Sequence, residues 1–389
     1  MYRLKTTAGA LSTALKIVRP IIERRNTIPI LGAVLLKGST ATGTDLDVEM
    51  EVAFASIEAE GEVAVPFHTI ERITKLVNRD AEIEIATDDG KLALKFDGGK
   101  YLLPTFDPAD FPHMAIDTPE PLAGFTDDFK AALKFAKACI STEETRYYLN
   151  GVSVDASEDA EGKVRSGIVA TDGHRLACYP LDFDLSALKG AIIPRKTVDI
   201  MLKLPAPTEG ARAAAGNRLE FRMPGITLRT KTIDGTYPDW RRVVPKAEAA
   251  TTTIEFDRVE LLHAINRVRV IANGSSINGA SIGYGPGGVV IAGASPDCGT
   301  AIEYLRKASA GDRIGEVAFN ARYVFDMLEL FAQSKTIALR VIDSRSPAHL
   351  TGDEDPKRFA VLMPMRSSDG IAIKEATALA RREERKIAA

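Results

Sequence analysis

The sequence predicts an α+β fold built from three tandem copies of one domain, each with two helices and a largely antiparallel sheet. A strand end followed by a short amphipathic helix recurs, starting at residues 65, 193 and 319. This spacing of about 127 residues is domain-sized and far longer than a solenoid repeat. Two further landmarks, an aspartate-containing turn and an aspartate a few residues before a proline, recur with the same period: Asp45, Asp172 and Asp297, and Asp107 and Asp234.

Length and composition agree with several globular domains. A chain of 389 residues is too long for one ordinary core, and 45% hydrophobic with 26% charged residues is typical of globular proteins. No apolar run approaches a membrane span and no signal core is present at the N-terminus, so we expect a cytoplasmic protein. The three cysteines are far apart and lack CxxC spacing, which predicts neither a metal site nor a disulfide framework, and no cofactor.

The elements of the first copy can be placed in order. A helix is predicted over 11–22, followed by strands over 32–37 and 47–55. A strand end at Val65 then leads into a helix with apolar residues at 70, 73 and 76. Three strands close this copy, at 82–85, 92–96 and 101–103.

Helices open the other two copies at 128–140 and 258–271. The predicted domains are 1–120, 121–248 and 249–366, followed by a C-terminal extension over 367–389. Three unrelated α+β domains are the alternative, but shared landmarks at one period favour a repeat.

Basic residues recur on equivalent helices although the chain has a net charge of −3. Lys130, Lys134 and Lys137 lie at i, i+4 and i+7 and therefore share one helical face. Any single stripe of this kind is typical of a solvated face, but its recurrence indicates a segregated basic surface suited to phosphate backbones without sequence preference. The other members are Lys16, Arg19, Arg72, Lys75, Arg195, Lys196, Lys203, Arg258, Arg267, Arg269 and Arg322.

The stretch 169–177 invites a catalytic interpretation, because Asp172 and His174 resemble a general base with its orienting group. A hydrolase is therefore one alternative. No partner nucleophile is apparent, however, and Asp172 has a structural role in capping its own turn. The five histidines show no metal-binding spacing. The match to GxGxxG over 283–288 contains Pro286 and precedes a strand, so it predicts a hairpin turn rather than a nucleotide loop.

Five motifs in order carry a resemblance to a known family: RNTIPIL over 25–31, RYYLNG over 146–151, ATDGHRLA over 170–177, DGTYPDWRRVVP over 234–245 and VLMPMR over 361–366. Together they resemble the bacterial DNA polymerase III β subunit, the replicative sliding clamp. The resemblance extends from about residue 1 to residue 366, most of the chain.

This resemblance implies the DNA clamp fold and a head-to-tail homodimer that forms a closed ring of six similar domains. The basic helices would line a pore around double-stranded DNA, and the protein would have no catalytic activity of its own. Its implied partners are the DNA polymerase III alpha subunit, the clamp loader, other DNA polymerases, ligase and mismatch-repair proteins. These would bind through short peptides ending in Leu or Phe.

The resemblance also implies three sets of site residues. The peptide-binding cleft would comprise Arg146, Tyr148, Leu149, Thr171, Gly173, His174, Arg175, Leu176, Pro238, Arg242, Val243, Tyr323, Val361, Met363, Pro364, Met365 and Arg366. DNA contacts would fall on Arg25, Tyr147, Tyr148, Arg195 and Lys196. The dimer seam would pair Tyr101 and Leu103 of one copy with Val270 and Ile271 of the other.

Two departures from the family pattern stand out. His68 occupies a position where a basic residue is expected, which weakens a DNA contact at neutral pH. The chain also continues past Arg366, and 372–386 has helix-forming composition. We hypothesise that this tail covers part of the cleft or adds a partner contact; a disordered tail and a specialised clamp paralogue are the alternatives.

Overall fold

The computed structural model describes residues 1–24, 27–88, 90–122, 125–158, 164–214, 217–272, 279–366 and 370–387. It divides into two compact units, 1–130 with 183–234 and 131–182 with 235–389. The middle repeat thus contributes residues to both units.

The first repeat alternates strands with two helices, each of which directly follows a strand. Its elements are β1 (Arg3–Thr7), α1 (Ala8–Val18), β2 (Ala33–Lys37), β3 (Thr40–Thr44), β4 (Val48–Ala53), β5 (Glu58–Glu60), β6 (Glu62–Pro66), α2 (Phe67–Leu76), β7 (Glu82–Asp88), β8 (Lys91–Phe96) and β9 (Gly99–Pro104).

The second and third repeats follow the same order, which confirms the repeated domain. The second has β10 (Pro119–Leu122), α3 (Asp127–Lys137), β11 (Gly151–Glu158), β12 (Val164–Thr171), β13 (Arg175–Leu181), β14 (Ile192–Pro194), α4 (Arg195–Met201), β15 (Glu209–Ala213), β16 (Arg218–Met223) and β17 (Ile226–Lys231). The third has β18 (Thr252–Asp257), α5 (Arg258–Ala272), β19 (Gly279–Gly285), β20 (Gly288–Ser295), β21 (Gly299–Leu305), β22 (Ser309–Ala310), β23 (Gly315–Asn320), α6 (Ala321–Leu330), β24 (Thr336–Val341), β25 (Ala348–Gly352) and β26 (Phe359–Leu362). The tail forms α7 (Ile371–Ile387).

Two sheets organise the first unit. One has the order β5-β1-β7-β8-β9, and the other has the order β10-β15-β16-β17-β4-β3-β2-β6. Antiparallel pairing of β17 with β4, with Leu228 opposite Met50, makes strands of two repeats share one sheet.

Two sheets also organise the second unit. The larger contains β11-β12-β13-β26-β25-β24-β18-β22 in that order, and the smaller is β21-β20-β19-β23. Antiparallel pairing of β13 with β26, with Leu176 opposite Val361, places a strand of the second repeat beside one of the third.

The first two helices differ in detail from the prediction. The Thr7 hydroxyl accepts a hydrogen bond from the Ala10 amide at 3.2 Å, so α1 begins at Ala8 rather than at the predicted Leu11. Its predicted last residue, Ile22, is buried in the turn beyond the helix. The sequence predicts Leu76 as the last residue of the buried apolar row of α2, but Leu76 is 87% exposed. The buried residues of α2 lie nearer the start of the helix.

A buried charge network stabilises the shared sheet of the first unit. The guanidinium of Arg229 lies 2.7 Å from carboxylate oxygens of both Glu49 and Glu220, which are 1% and 5% exposed. Glu49 also accepts the Met114 amide at 3.0 Å. These partners compensate the cost of removing two carboxylates from water.

The tail helix α7 packs on β19 and β20 of the four-stranded sheet. One stripe of small residues at a spacing of four is buried there: Ala372, Ala376 and Ala380. The structure thus confirms the predicted helix and places it on this sheet. The predicted hairpin over 283–288 is also confirmed, since β19 and β20 are joined by Pro286 and Gly287.

Candidate functional site

The turn after β12 is built by its own side chains. The Asp172 carboxylate accepts hydrogen bonds from the His174 and Arg175 amides at 2.9 and 3.0 Å, as the predicted capping role requires. Gly173 has a φ of +89°, a conformation that favours glycine. The Tyr237 hydroxyl accepts the Thr171 amide at 2.8 Å and so fixes the start of the turn.

Arg175 ties this turn to helix α6. Its Nε lies 3.0 Å from Asp172 Oδ2 and its Nη1 lies 2.7 Å from Asp326 Oδ2. The guanidinium carbon also sits 4.4 Å from the centre of the Tyr323 ring. Desolvation lowers the pKa of Arg175, but its hydrogen bond to Asp326 and the other acidic contacts raise it overall. With both oxygens of Asp172 engaged, this carboxylate acts as a structural anchor rather than as a base.

Beneath the turn lies an apolar floor. Leu149, Leu176 and Val361 are buried, with 3%, 2% and 2% exposure. Leu176 and Val361 form a cluster with Val169 and Cys178, against which Trp240 packs. Burial raises the pKa of the Cys178 thiol, so this sulfur belongs to the neutral core.

Exposed apolar side chains surround this floor. Met363 is 38% exposed and Val243 is 46% exposed, although large aliphatic side chains are usually buried. The Met363 amide donates to the His174 carbonyl at 2.9 Å, which holds the end of β26 beside the turn. The His174 ring stacks on Tyr323 with centroids 6.1 Å apart. Pro238 is exposed as well.

Polar groups border the same surface. Arg146 pairs with Glu143 at 2.7 Å, and its Nη1 would be 2.5 Å from a Cβ added to Gly173. Tyr148 is half-buried. Its Cβ lies close to Gly235, because a Cβ added to that glycine would be only 3.0 Å from it. Arg242 is exposed and pairs with Asp239 at 3.0 Å.

The last three predicted cleft residues lie where β26 leads towards the tail. The Met365 amide donates to the Ala318 carbonyl at 2.7 Å, and Pro364 is half-buried. Met365 and Arg366 line a cavity of about 710 Å³ together with Ile373 of α7. Ile373 of the tail thus lines a cavity with two of the predicted cleft residues, whereas α7 itself packs on β19 and β20.

Sequence reasoning missed several residues that build this surface. Tyr237 and Trp240, both half-buried, lie inside a quoted motif, and an aromatic residue in a polar, proline-containing segment is a detectable signal. Asn320 caps α6 by accepting the Arg322 and Tyr323 amides at 2.9 and 3.3 Å. Asp326 gives no sequence signal, because its partner Arg175 is 151 residues away.

The predicted DNA-contact residues are divided between the units. In the second unit Tyr147 is 54% exposed and its ring meets Tyr148 edge-on. In the first unit Arg195 and Lys196 begin α4, and Lys196 forms an ion pair with Asp45. Arg25 lies outside the described residues.

The basic helices present both exposed and engaged side chains. Lys16, Arg72 and Lys134 are exposed, whereas Lys130 donates to the Leu204 carbonyl. Arg267 forms an ion pair with Glu303 at 2.6 Å. The predicted basic surface is therefore interspersed with internal partners. His68, the departure from the family pattern, lies in the first turn of α2 with its ring edge-on to Phe67.

The predicted seam residues are also unequal. Tyr101 is 44% exposed and Val270 is 71% exposed, but Leu103 is only 5% exposed within its own sheet. Ile271 is half-buried. Leu102, which the sequence did not indicate, is 55% exposed.

The described residues contain no cluster of three or more His, Cys, Asp or Glu side chains placed to hold a metal ion. Among the helices of the described part, none combines the length and the apolar character of a membrane span.

Comparison with known proteins matches three family models along the chain. They are the N-terminal domain of the DNA polymerase III beta subunit over residues 4–115, the central domain over 125–239 and the C-terminal domain over 241–366. The tail lies beyond the last of them.

A curated relative, the beta sliding clamp of Caulobacter vibrioides, is 32% identical over 377 residues, which cover 94% of this chain and 100% of the relative. The solved sliding clamp of Caulobacter crescentus superposes with a TM-score of 0.84 at 30% identity, covering 94% of this chain and 100% of the other. The clamp of Bartonella birtlesii, solved with bound griselimycin, has a TM-score of 0.85 at 26% identity and the same coverage.

Proposed function

The chain belongs to the DNA polymerase III beta subunit family, the bacterial sliding clamps, and from this membership we propose that two copies close into a head-to-tail ring around duplex DNA. As a member of that family it is a processivity factor rather than an enzyme, and it acts in the cytoplasm. The observation that carries the proposal is the match of three tandem domains along residues 4–366. We set the domain boundaries at residues 120, 248 and 366.

Two strand edges support ring closure. β9 is one edge of the five-stranded sheet and β21 is one edge of the four-stranded sheet. Both expose apolar side chains, including Tyr101, Leu102 and Tyr304. Such edges tend to pair with another chain, and pairing between different edges of two copies gives a heterologous contact that closes a ring. We keep Tyr101 and Leu103 opposite Val270 and Ile271 in this seam and add the exposed Leu102, which lies on the other face of β9.

Contacts to DNA come from the basic helices and their neighbours. Exposed lysines and arginines on these helices neutralise phosphates without reading bases, so binding is independent of sequence and weakens with salt. Tyr147, Tyr148, Arg195, Lys196 and Arg25 are the assigned contacts. Individually weak contacts permit the ring to slide.

Replication and repair proteins bind at the surface around Arg175, which we name the cleft and define by the seventeen residues given above. Its apolar floor accepts a Leu or Phe side chain, and the flexible Met363 adapts to different peptides. Arg146 and Arg242 at the border suit a peptide carboxylate or carbonyl. The partners are the DNA polymerase III alpha subunit, the clamp loader, other DNA polymerases, ligase and mismatch-repair proteins.

The decisive experiment combines the protein with a DNA polymerase, its clamp loader and primed circular DNA. We expect long products, retention of the protein on closed circles and release when the circle is cut. Met363→Ser should reduce both loading by the clamp loader and polymerase tethering while the dimer still forms, because both partners bind at the cleft to which this exposed side chain belongs. Ile57→Ser, at a 69% exposed position outside the cleft, is the control. Failure of the wild-type protein to remain on closed circles would overturn the proposal.

A further inference from the structure

The backbone of the tail helix α7 packs directly against the backbone of the four-stranded sheet beneath it. A Cβ added to Gly283 would lie 2.2 Å from the Ala372 carbonyl oxygen, and one added to Gly287 would lie 2.4 Å from the Ala380 amide nitrogen. The helix can therefore come this close to the sheet only because the sheet has glycine and the helix has alanine at the contact. Helix α7 is consequently a built part of the third domain.

Helix α7 and helix α5 lie on opposite faces of this sheet. Gly293 faces α5, because a Cβ there would meet Val268 at 2.8 Å. Gly283 faces α7 and lies opposite Val290, which in turn lies opposite Tyr304 of β21. Since side chains alternate along a strand, Tyr304 stands on the α7 face of the edge strand.

At this edge α7 makes a polar contact. The Tyr304 hydroxyl donates to Glu375 Oε2 at 2.6 Å, and this hydrogen bond is the main cause that raises the pKa of Tyr304. Leu379 and Arg382 follow at i+4 and i+7 and share this flank of the helix. They line a groove of about 670 Å³ with Tyr304 and Arg306. A carboxylate and an apolar side chain thus stand directly beside the exposed edge.

Strand β9 of the first unit carries groups complementary to Glu375 and Leu379. Tyr101 and Leu103 lie opposite Leu94 and Leu92 on the buried face, so Lys100 and Leu102 point to the other face. Lys95 lies opposite Lys100 and is exposed like it. Among the described residues neither lysine forms an ion pair. The face of β9 that is turned away from its core is therefore basic with one exposed leucine.

We propose that α7 extends the subunit seam, with Glu375 meeting Lys100 of a second copy and Leu379 meeting its Leu102. This inference rests on the proposed ring. When β9 of the second copy pairs with β21, it lies about 4.8 Å from Tyr304, and the outward faces of the two sheets become continuous. A lysine side chain spans that distance to a carboxylate above the edge. The tail thereby adds contacts that a chain ending at Arg366 lacks.

A charge exchange tests the pairing. Glu375→Lys and Lys100→Glu should each weaken the dimer roughly three- to fivefold at low salt, and the double variant should regain most of the loss. Dimer dissociation is measured by exchange of fluorescently labelled subunits. Glu248→Lys, an exposed glutamate outside the seam, is the matched control and should change nothing. Recovery in the double variant would show that residues 375 and 100 meet across the seam. If the loss came only from the Tyr304 hydrogen bond, Lys100→Glu would not restore it.

Removal of the tail supplies a second measurement. The protein ending at Arg366 should dissociate roughly tenfold more readily, because apolar contact is lost with the charge pair. A wild-type dimer whose dissociation is the same in every variant would overturn the role of α7 and leave the ring intact. Absence of any wild-type dimer would overturn the ring proposal and this inference with it.

Discussion

Arg175 Nη1 lies 2.7 Å from Asp326 Oδ2, and this contact joins a hairpin of the second repeat to a helix of the third. The Arg175 side chain is only 13% exposed. Its guanidinium nitrogens donate hydrogen bonds to both Asp172 and Asp326, and the plane of the guanidinium lies over the Tyr323 ring. A planar guanidinium can satisfy all three at once, which an ammonium cannot. Arg175 therefore shapes the cleft from below.

Replacing Arg175 should reduce both stability and peptide binding. Arg175→Ala leaves two partly buried carboxylates without a cation, so we expect a loss of about 3 kcal/mol in the free energy of unfolding. Arg175→Lys should lose less stability, because the positive charge remains although the planar guanidinium with its several hydrogen bonds is lost. Urea unfolding measures the first effect, and fluorescence anisotropy with a polymerase-derived peptide measures the second.

Arg242→Ala is the control for the stability part of this prediction. Arg242 is 83% exposed in its side chain, and its partner among the described residues is a near neighbour, Asp239. Its removal should change the free energy of unfolding by less than about 0.5 kcal/mol. Equal stability losses for Arg175→Ala and Arg242→Ala would contradict the anchoring role.

A side chain at Gly173 is predicted to strain the backbone and to displace Arg146. Both its φ of +89° and the 2.5 Å distance from an added Cβ to Arg146 Nη1 oppose Gly173→Ala. Gly190 has a similar φ of +78°, but an added Cβ would meet nothing within 4 Å. Gly190→Ala should thus cost about 1 kcal/mol of backbone strain alone. Gly173→Ala should show that cost and a displaced Arg146, seen as weaker peptide binding; unchanged binding would refute the contact.

Much of the architecture was predictable because it depends on local patterns. The period of about 127 residues, the hairpin at Pro286 and the turn capped by Asp172 all follow from spacing and turn chemistry. Helix ends were less predictable, since the cap at Thr7 moved the start of α1. A hydroxyl residue at the end of a strand, Thr7, was the overlooked signal.

Long-range pairings were not predictable from one sequence. Nothing near Asp326 indicates that it faces Arg175, and the alanine stripe of α7 does not specify which sheet it covers. Leu103 remains a predicted seam residue, and alternation along β9, which turns its side chain inwards, exposes Leu102, a residue that the sequence did not indicate. The pairing register of a strand decides which face each side chain points to, and a shift of one residue reverses every face.

Arg229 is predicted to be essential for the shared sheet of the first unit. Arg229→Ala leaves Glu49 and Glu220 buried without their common cation, so we expect a loss of about 3–5 kcal/mol in the free energy of unfolding. Arg222 also pairs with Glu220 but is 55% exposed, which makes Arg222→Ala a suitable control with a much smaller loss. Chemical denaturation of the two variants distinguishes them, and similar midpoints would contradict the network.

His349 should make stability depend on pH between about 4 and 6.5. Burial, assisted by Arg340, lowers the pKa of His349 from 6.5 to about 4. In this window the unfolded chain binds more protons than the folded chain, so stability is full above pH 6.5 and falls as the pH decreases towards 4. Partial exposure limits the loss to roughly 2 kcal/mol.

His349→Asn removes this titration and should flatten the pH profile of the midpoint of thermal unfolding. His263→Asn, at an exposed position of α5, is the control and should retain the wild-type slope. Because His349 lies opposite Val361 on the adjacent strand, protonation disturbs the strand that carries the floor of the cleft. Peptide affinity should therefore decline with stability below pH 6 in the wild-type protein and less in His349→Asn. Parallel pH profiles for the two proteins would exclude His349 as the responsible group.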